Sequence, residues 1–289
     1  MIPLVKAFFN EATYTVSYVV WDPNTKKTVI IDPVLDFDRD AGRTSNQSAD
    51  EILTFIQENE LDVDWVLETH AHADHLSAAH YLKHALGCRT GIGMGITKVQ
   101  KVCAGMFNFE AGFRTDGSQF DYLFEDNEKI NLGSMKLRVL HTPGHTPACV
   151  TYIIGEAAFV GDTIFMPDFG TARCDFPGGD AAVLYVSIQR ILSLPEETKL
   201  FTGHDYKAKG RDYYAWEASV CEQKAKNIHV NTEITLQDFV NIRIERDKNL
   251  PVPRLLFPSL QVNVRAGEMP PPEENGVSYL KLPIRALAG

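Results

Sequence analysis

The sequence is poor in cysteine, in positive charge and in long apolar runs, and each shortage argues against a class of protein. The five cysteines among 289 residues are odd in number and widely spaced, without a Cys-x-x-Cys pair, which argues against a disulfide framework. Lys and Arg number 28 against 38 Asp and Glu, a net charge of −10. Neither a nucleic-acid backbone nor an anionic membrane surface is therefore expected as the main partner. No apolar run approaches the length of a membrane span.

The first twenty residues contain an apolar stretch, but Asn10 and Glu11 interrupt it and no small-residue cleavage pattern of a signal peptide follows. Together with reduced thiols, this predicts a cytoplasmic protein. The composition, 44% hydrophobic and 23% charged, is typical of a globular chain with a sizeable core.

Hydrophobic periodicity predicts a layered α/β (α+β) architecture in which helices are interspersed among runs of strands. Predicted strands cover residues 13–20, 28–31, 65–67, 89–93, 136–140, 150–154, 157–160 and 200–202. Predicted helices run from a Ser48 N-cap to Asn59 and over 74–86, 97–106, 180–194, 213–228 and 236–246. We expect a catalytic domain over residues 1–230, with residues 231–289 as a C-terminal extension packed on it.

A short segment after the predicted strand 65–67 concentrates metal-binding side chains, namely His70, His72, Asp74 and His75. In an extended chain, residues two apart face the same side, so His70 and His72 can both reach one ion. Asp74 and His75 then turn toward a neighbouring position. The spacing therefore suits two adjacent metal positions.

Three further candidates follow apolar runs and a glycine, at the ends of predicted strands: His145, Asp162 and His204. A glycine lets the backbone turn closely and directs the next side chain into the mouth of a site. Capping or surface roles remain the alternative for each residue taken singly. Because all three recur at strand ends, we interpret them as part of the same metal site.

These residues, in order, resemble the metallo-β-lactamase superfamily pattern of His-x-His-x-Asp-His followed by His, Asp and His. The resemblance implies a four-layer αββα fold. Flanking residues are most similar to the persulfide dioxygenases, the family of the ethylmalonic encephalopathy protein and bacterial sulfur dioxygenases. The segments that carry this similarity are 67–79, 161–165, 170–176, 203–206, 252–254 and 262–267.

Membership of that family implies one Fe(II) per chain, held by His70, His145 and Asp162. His72, Asp74, His75 and His204 would orient the ligands or move protons, and the catalytic roles would fall to the last three. Arg173 and Tyr206 would bind the substrate, glutathione persulfide, which O₂ oxidises to sulfite and glutathione. A salt bridge with Asp168 or Asp175 is the competing role for Arg173. The family also implies a possible homodimer.

Two other readings stay open at this point. Ligand spacing alone equally fits a binuclear zinc hydrolase, a hydroxyacylglutathione thioesterase or a lactonase. In that case His70, His72 and His145 bind one ion, Asp74, His75 and His204 bind the other, and Asp162 bridges the two. A non-enzymatic metal- or sulfide-responsive binding protein on the same scaffold is the third reading.

Overall fold

The computed structural model describes residues 2–284, and its core is formed by two six-stranded sheets packed face to face. Helices cover the outer face of each sheet. Strand β2 (Thr15–Trp21) shows why both layers form: Val16, Tyr18 and Val20 point toward the opposite sheet, whereas Val19 points toward the helices. The structure confirms the expected four-layer αββα fold.

The first sheet contains strands from the N-terminal part of the chain. They are β1 (Leu4–Asn10), β2, β3 (Lys27–Ile31), β6 (Asp62–Leu67), β8 (Arg89–Gly93) and β9 (Tyr122–Phe124), in that spatial order. A small three-stranded sheet beside it contains β4 (Val34–Asp38), β5 (Arg43–Ser45) and β7 (Leu76–Ser77). Because β3, β6, β8 and β9 run parallel, their carboxyl ends meet at one edge.

The second sheet keeps the order of the sequence. Its strands are β10 (Lys129–Leu132), β11 (Met135–His141), β12 (Val150–Ile154), β13 (Ala157–Gly161), β14 (Lys199–Thr202) and β15 (Glu217–Ser219). Only the pair β13–β14 is parallel. Consequently the carboxyl ends of these two strands also lie side by side.

The helices divide between the two outer faces. They are α1 (Gln47–Glu58), α2 (Ala79–Leu86), α3 (Ile96–Phe107), α4 (Ala181–Leu192), α5 (Val220–Lys226), α6 (Leu236–Asp247) and α7 (Leu256–Asn263). Helices α1 and α2 cover the first sheet, α4, α5 and α6 cover the second, and α3 packs on α7.

Several predicted boundaries are wrong. No helix begins at Asp74, because the metal-binding segment is a loop that continues into β7, and α2 begins only at Ala79. Ser48 does not cap α1: its hydroxyl donates a hydrogen bond to Asp36 instead. The helix predicted from residue 213 begins at Val220, after strand β15. The sequence predicts neither strand β1 nor helix α7; the α7 segment is masked by Pro251, Pro253 and Pro258, which are typical of loops.

The segment after residue 230 packs closely on the rest of the chain. Phe239 of α6 is fully buried in the cluster beneath the second sheet, and Val262 of α7 joins the cluster beneath the first. The boundary at residue 230 stays a prediction, as does the homodimer.

Candidate metal centre

The predicted metal-binding residues lie together where strands of both sheets end. The loop after β6 carries His70, His72, Asp74 and His75, and the residue that follows β13 is Asp162. The other two residues, His145 and His204, lie in the loops after β11 and β14. Strand ends therefore place these side chains at one edge of the sandwich, where loops can surround a site.

The side chains form two neighbouring groups. In the first, ligand atoms of His70, His145 and Asp162 lie within 4.8 Å of one another. In the second, the same criterion holds for His72, Asp74, His75 and His204. Asp162 faces both groups: its Oδ2 is 3.8 Å from Nε2 of His70 and of His145, and its Oδ1 is 3.5 Å from Nε2 of His204.

Many of the buried polar atoms here have no hydrogen-bond partner within the described chain. They are His70 Nε2, His72 Nδ1, Asp74 Oδ2, His75 Nε2, Asp162 Oδ1 and His204 Nε2. Each unpartnered buried atom costs about 1–3 kcal/mol. A metal cation that accepts their lone pairs removes this cost, so the residues present fit a metal ion.

Neighbouring groups fix which nitrogen of two histidines is free for a metal. The Thr69 hydroxyl donates to Asp32 Oδ2 at 2.7 Å, so it accepts from His70 Nδ1 at 3.0 Å. The Arg173 carbonyl accepts from His145 Nδ1 at 2.6 Å. Both rings therefore direct an Nε2 lone pair toward the site. In metal sites, a hydrogen-bond acceptor on the other ring nitrogen usually orients the histidine in this way.

In His72 the two ring nitrogens have the opposite roles. Its Nε2 lies 3.1 Å from Oδ1 of Asp32 and 3.1 Å from Oε2 of Glu68. Because carboxylates accept, Nε2 carries the proton and Nδ1 faces the site. Burial alone would lower the pKa of His72, but the Asp32 charge and hydrogen bonds to both carboxylates raise it well above its usual value.

In the second group, an imidazole lies close to two carboxylates. His204 Nε2 lies 2.9 Å from Asp74 Oδ2, although the two atoms do not align as a hydrogen bond. Burial would lower the pKa of His204, yet Asp162 and Asp74 raise it to about 9. By contrast, burial and nearby imidazoles hold the pKa of His70 well below its usual value. His70 is therefore neutral, as a metal ligand must be.

Two glycines allow the strand ends to approach one another. Gly161 has φ +51°, and a Cβ there would lie 2.4 Å from Thr69 Oγ1. A Cβ on Gly203 would lie 2.6 Å from Asp162 Oδ1. A side chain at either position would displace a group that holds the site.

A residue of α7 holds the backbone of the metal-binding loop. Asn263 donates from Nδ2 to the carbonyls of His72 (2.9 Å) and His75 (2.8 Å), and its Oδ1 accepts from the Ser77 N–H. Sequence reasoning missed Asp32, Glu68 and Asn263. Asp32 follows the apolar strand β3 as Asp162 follows β13, so the strand-end signal could have found it. Nothing local marks Asn263, which lies far away in sequence.

The two predicted substrate-binding residues differ in their surroundings. Arg173 makes a bidentate salt bridge to Asp175 and donates to the Pro251 carbonyl, as the competing interpretation expects. Tyr206 is 39% exposed and stacks on His204 at 5.4 Å. Burial of the hydroxyl group itself, together with the charges of Asp74 and Asp162, raises the pKa of Tyr206 well above its usual value. Substrate binding by either residue stays a prediction.

Comparison with known proteins places this site in a family context. A sequence model described as "Metallo-beta-lactamase superfamily" matches residues 11–204. The "Beta-lactamase hydrolase-like protein" of Agrobacterium fabrum is 52% identical over the whole chain, which spans 66% of that protein's length. "Glyoxylase B2" of Dictyostelium discoideum is 48% identical, with 98% of this chain and 97% of that protein covered.

More distant relatives carry a different name. The human "Persulfide dioxygenase ETHE1, mitochondrial" is 28% identical, covering 93% of this chain and 90% of that protein. The crystal structure of ETHE1 from Myxococcus xanthus is also 28% identical, superposes with a TM-score of 0.72, and covers 93% of this chain and all of the other. Within residues 2–284, no helix is long and apolar enough to cross a membrane.

Proposed function

The chain belongs to the metallo-β-lactamase superfamily, and within it we propose that the protein is a persulfide dioxygenase with one Fe(II), held by His70, His145 and Asp162. The reaction converts glutathione persulfide, O₂ and water into glutathione and sulfite. The sulfur–sulfur bond breaks, the terminal sulfur is oxidised, and O₂ is reduced. When bound, Fe(II) supplies the electron transfer to O₂ that amino-acid side chains cannot supply.

The observation that carries this proposal is the compact first group. Two histidines and one carboxylate within 4.8 Å of one another are the ligand set of non-haem Fe(II) oxygenases, which leave positions open for reactants. In the second group, Asp74 and His204 approach one another, which suits a charge pair that moves protons. The similarity to persulfide dioxygenases over most of both chains supports the same function.

The surrounding residues of this chain have separate roles in the proposal. The Tyr206 hydroxyl donates a hydrogen bond to the bound thiol substrate, and the Tyr206 ring, stacked on His204, forms one side of the site. His204 lies beside the carboxylates of Asp74 and Asp162 and can give a proton to the leaving thiolate. Asp74 and His75 orient His204 and exchange protons with it. Arg173 steadies the loop that carries the His145 partner carbonyl.

A binuclear zinc hydrolase that cleaves glutathione thioesters is the second candidate. The second group offers a complete ligand set beside the first, and Asp162 presents one oxygen to each. The relatives of higher identity bear the names of a hydrolase-like protein and a glyoxylase. By name, the comparisons favour this candidate over the oxygenase.

One set of measurements separates the two candidates. Protein loaded anaerobically with iron is mixed with glutathione persulfide, and O₂ uptake and sulfite are quantified in the same sample. We expect matching O₂ consumption and sulfite, abolished by His145→Ala and unchanged by His84→Ala, a control on the exposed side of α2. Thioester hydrolysis by zinc-loaded protein without O₂ uptake would overturn the proposal in favour of the hydrolase.

Metal content gives an independent readout. With a single iron site, Asp74→Asn leaves about one ion per chain. With a binuclear zinc site, the same substitution lowers the metal content from about two ions per chain toward one. A full metal content without turnover of any persulfide or thioester would instead favour a metal-binding protein without enzymatic activity.

A further inference from the structure

The turn between β1 and β2 reaches the second group of metal-binding side chains. Tyr14 in this turn has φ +58°, and its carbonyl accepts from Nδ1 of His204 at 3.2 Å and from the Asp205 N–H at 3.2 Å. Because a carbonyl only accepts, Nδ1 of His204 carries a hydrogen. Its Nε2 is then the nitrogen that faces Asp74, at 2.9 Å from Oδ2.

The next residue of the chain contacts the other histidine of this group that follows Asp74. Thr15, the first residue of β2, is fully buried, and its Oγ1 lies 3.3 Å from Nδ1 of His75. A hydroxyl both donates and accepts, so this contact alone leaves open which of the two atoms carries the hydrogen. Nε2 of the same ring is buried without a partner in the described chain. The direction of the Thr15 hydroxyl therefore decides which nitrogen of His75 has the lone pair.

A relay of polar groups fixes that direction. Asn10 donates from Nδ2 to Asp36 Oδ1 at 3.0 Å, and its Oδ1 accepts from the hydroxyl and the N–H of Thr13, each at 3.1 Å. The Thr13 hydroxyl has a single hydrogen, which it uses on Asn10, so it accepts from the Thr15 hydroxyl at 2.8 Å. Thr15 then has no hydrogen left for His75. Its oxygen therefore accepts from Nδ1 of that ring.

A carboxylate anchors the polarity of this relay. Asp36 also accepts from the N–H and the hydroxyl of Ser48, both at 2.8 Å. The reversed amide of Asn10 would set its oxygen against the Asp36 carboxylate and its NH₂ against a backbone N–H, which leaves both groups without partners. At the other end, Oδ1 of Asp74 lies 3.6 Å from Nδ1 of His75 and can only accept. Both neighbours of Nδ1 therefore favour a hydrogen on it.

We propose that Thr13 and Thr15 are positioning residues that hold His75 with its hydrogen on Nδ1 and its lone pair on Nε2, the nitrogen without a protein partner. The relay does for His75 what the Tyr14 carbonyl does for His204. Nε2 is then the nitrogen of both rings that is free for a metal ion or a transferred proton. The inference concerns the protein before substrate binds, so it applies to both candidate functions.

Nitrogen-15 NMR of histidine-labelled, metal-free protein identifies the tautomer directly. At pH 8, above the usual imidazole pKa of about 6.5, His75 should carry its hydrogen on Nδ1. Thr15→Val should shift the hydrogen toward Nε2, whereas Thr15→Ser, which keeps the hydroxyl, should leave it on Nδ1. Thr13→Val should also shift it, because the Thr15 hydroxyl loses its acceptor and can then donate to the ring. Thr54→Val, which removes an exposed hydroxyl from α1, should change nothing.

Turnover gives a second readout. Loss of the partner that orients a metal-site histidine typically costs 10–100-fold in activity. Thr15→Val should therefore lower the rate of whichever reaction the metal-loaded protein catalyses by about 10–100-fold, and Thr15→Ser should retain most of it. An unchanged rate in a Thr15→Val protein whose tautomer has shifted would reject the positioning role.

The tautomer measurement separates this inference from the proposed function. A wild-type His75 with its hydrogen on Nε2 would overturn the relay, as would an unchanged tautomer in Thr15→Val or Thr13→Val. None of these results depends on iron, O₂ or persulfide. A protein with the expected tautomers that does not oxidise persulfide would keep the relay and reject the dioxygenase alone.

Discussion

Thr69 is expected to link the stability of the fold to the affinity for metal. Its hydroxyl donates to the buried carboxylate of Asp32 and accepts from Nδ1 of His70, and its N–H donates to the other oxygen of Asp32 at 2.7 Å. Thr69→Val keeps the shape of the side chain but removes the hydroxyl. Both the Asp32 oxygen and the His70 N–H then lose this buried partner.

The magnitude follows from these two lost hydrogen bonds. Each group left without a partner costs about 1–3 kcal/mol, so Thr69→Val should lower the free energy of unfolding by about 2–6 kcal/mol. Thr69→Ser keeps the hydroxyl and loses one buried methyl group, worth about 1 kcal/mol. Loss of the partner on His70 should also weaken metal binding by about 10–100-fold in the valine variant alone.

Urea denaturation of the metal-free protein measures the first effect, and competition with a chromophoric chelator measures the second. The matched serine variant separates loss of the hydroxyl from loss of volume. If valine and serine variants unfold at the same urea concentration and bind metal equally well, the hydroxyl does not orient His70 and the argument is wrong.

Three further predictions concern other parts of the chain. Burial and two nearby arginines lower the pKa of His229 to about 3, and Nδ1 of this residue accepts from the Thr171 N–H. Below about pH 6.5 the unfolded chain binds a proton that the folded chain does not bind, so the free energy of unfolding should fall by about 2 kcal/mol from pH 8 to pH 5. Urea titrations should show a smaller dependence of stability on pH for His229→Asn. Gly144→Ala should lower the free energy of unfolding, measured by thermal denaturation, by about 3 kcal/mol or more, because φ is +132° and the new Cβ would lie 2.3 Å from the Leu184 backbone. Gly105 is a helical position with open space around it, so Gly105→Ala should raise the free energy of unfolding by about 0.5–1 kcal/mol. Metal added at about 1,000 times its Kd should stabilise the protein by about 4 kcal/mol; an unchanged melting temperature would contradict a buried metal site.

The sequence predicts the fold and the proximity of the candidate ligands because both depend on local patterns. Apolar runs mark the strands, and a glycine followed by a histidine or aspartate marks where several of them end. The structure brings His70, His145 and Asp162 together as expected. Their role as iron ligands stays a prediction, because the same geometry accommodates zinc.

What the sequence does not predict depends on contacts between distant residues. The backbone after His70 stays a loop since Asn263 and β4 hold it, although its periodicity resembles the start of a helix. The pairing of Glu68 and Asp32 with one histidine likewise requires two strands to be adjacent.

The hydrogen bonds of Asn263 also determine when, during synthesis of the chain, the metal-binding loop can adopt its final conformation. They join residues 188 and 191 positions apart, and a ribosome adds about 5–20 residues per second. The histidine loop therefore emerges about 10–40 s before the side chain that fixes its backbone exists. The metal-binding loop therefore reaches its final form only after residue 263 has been made.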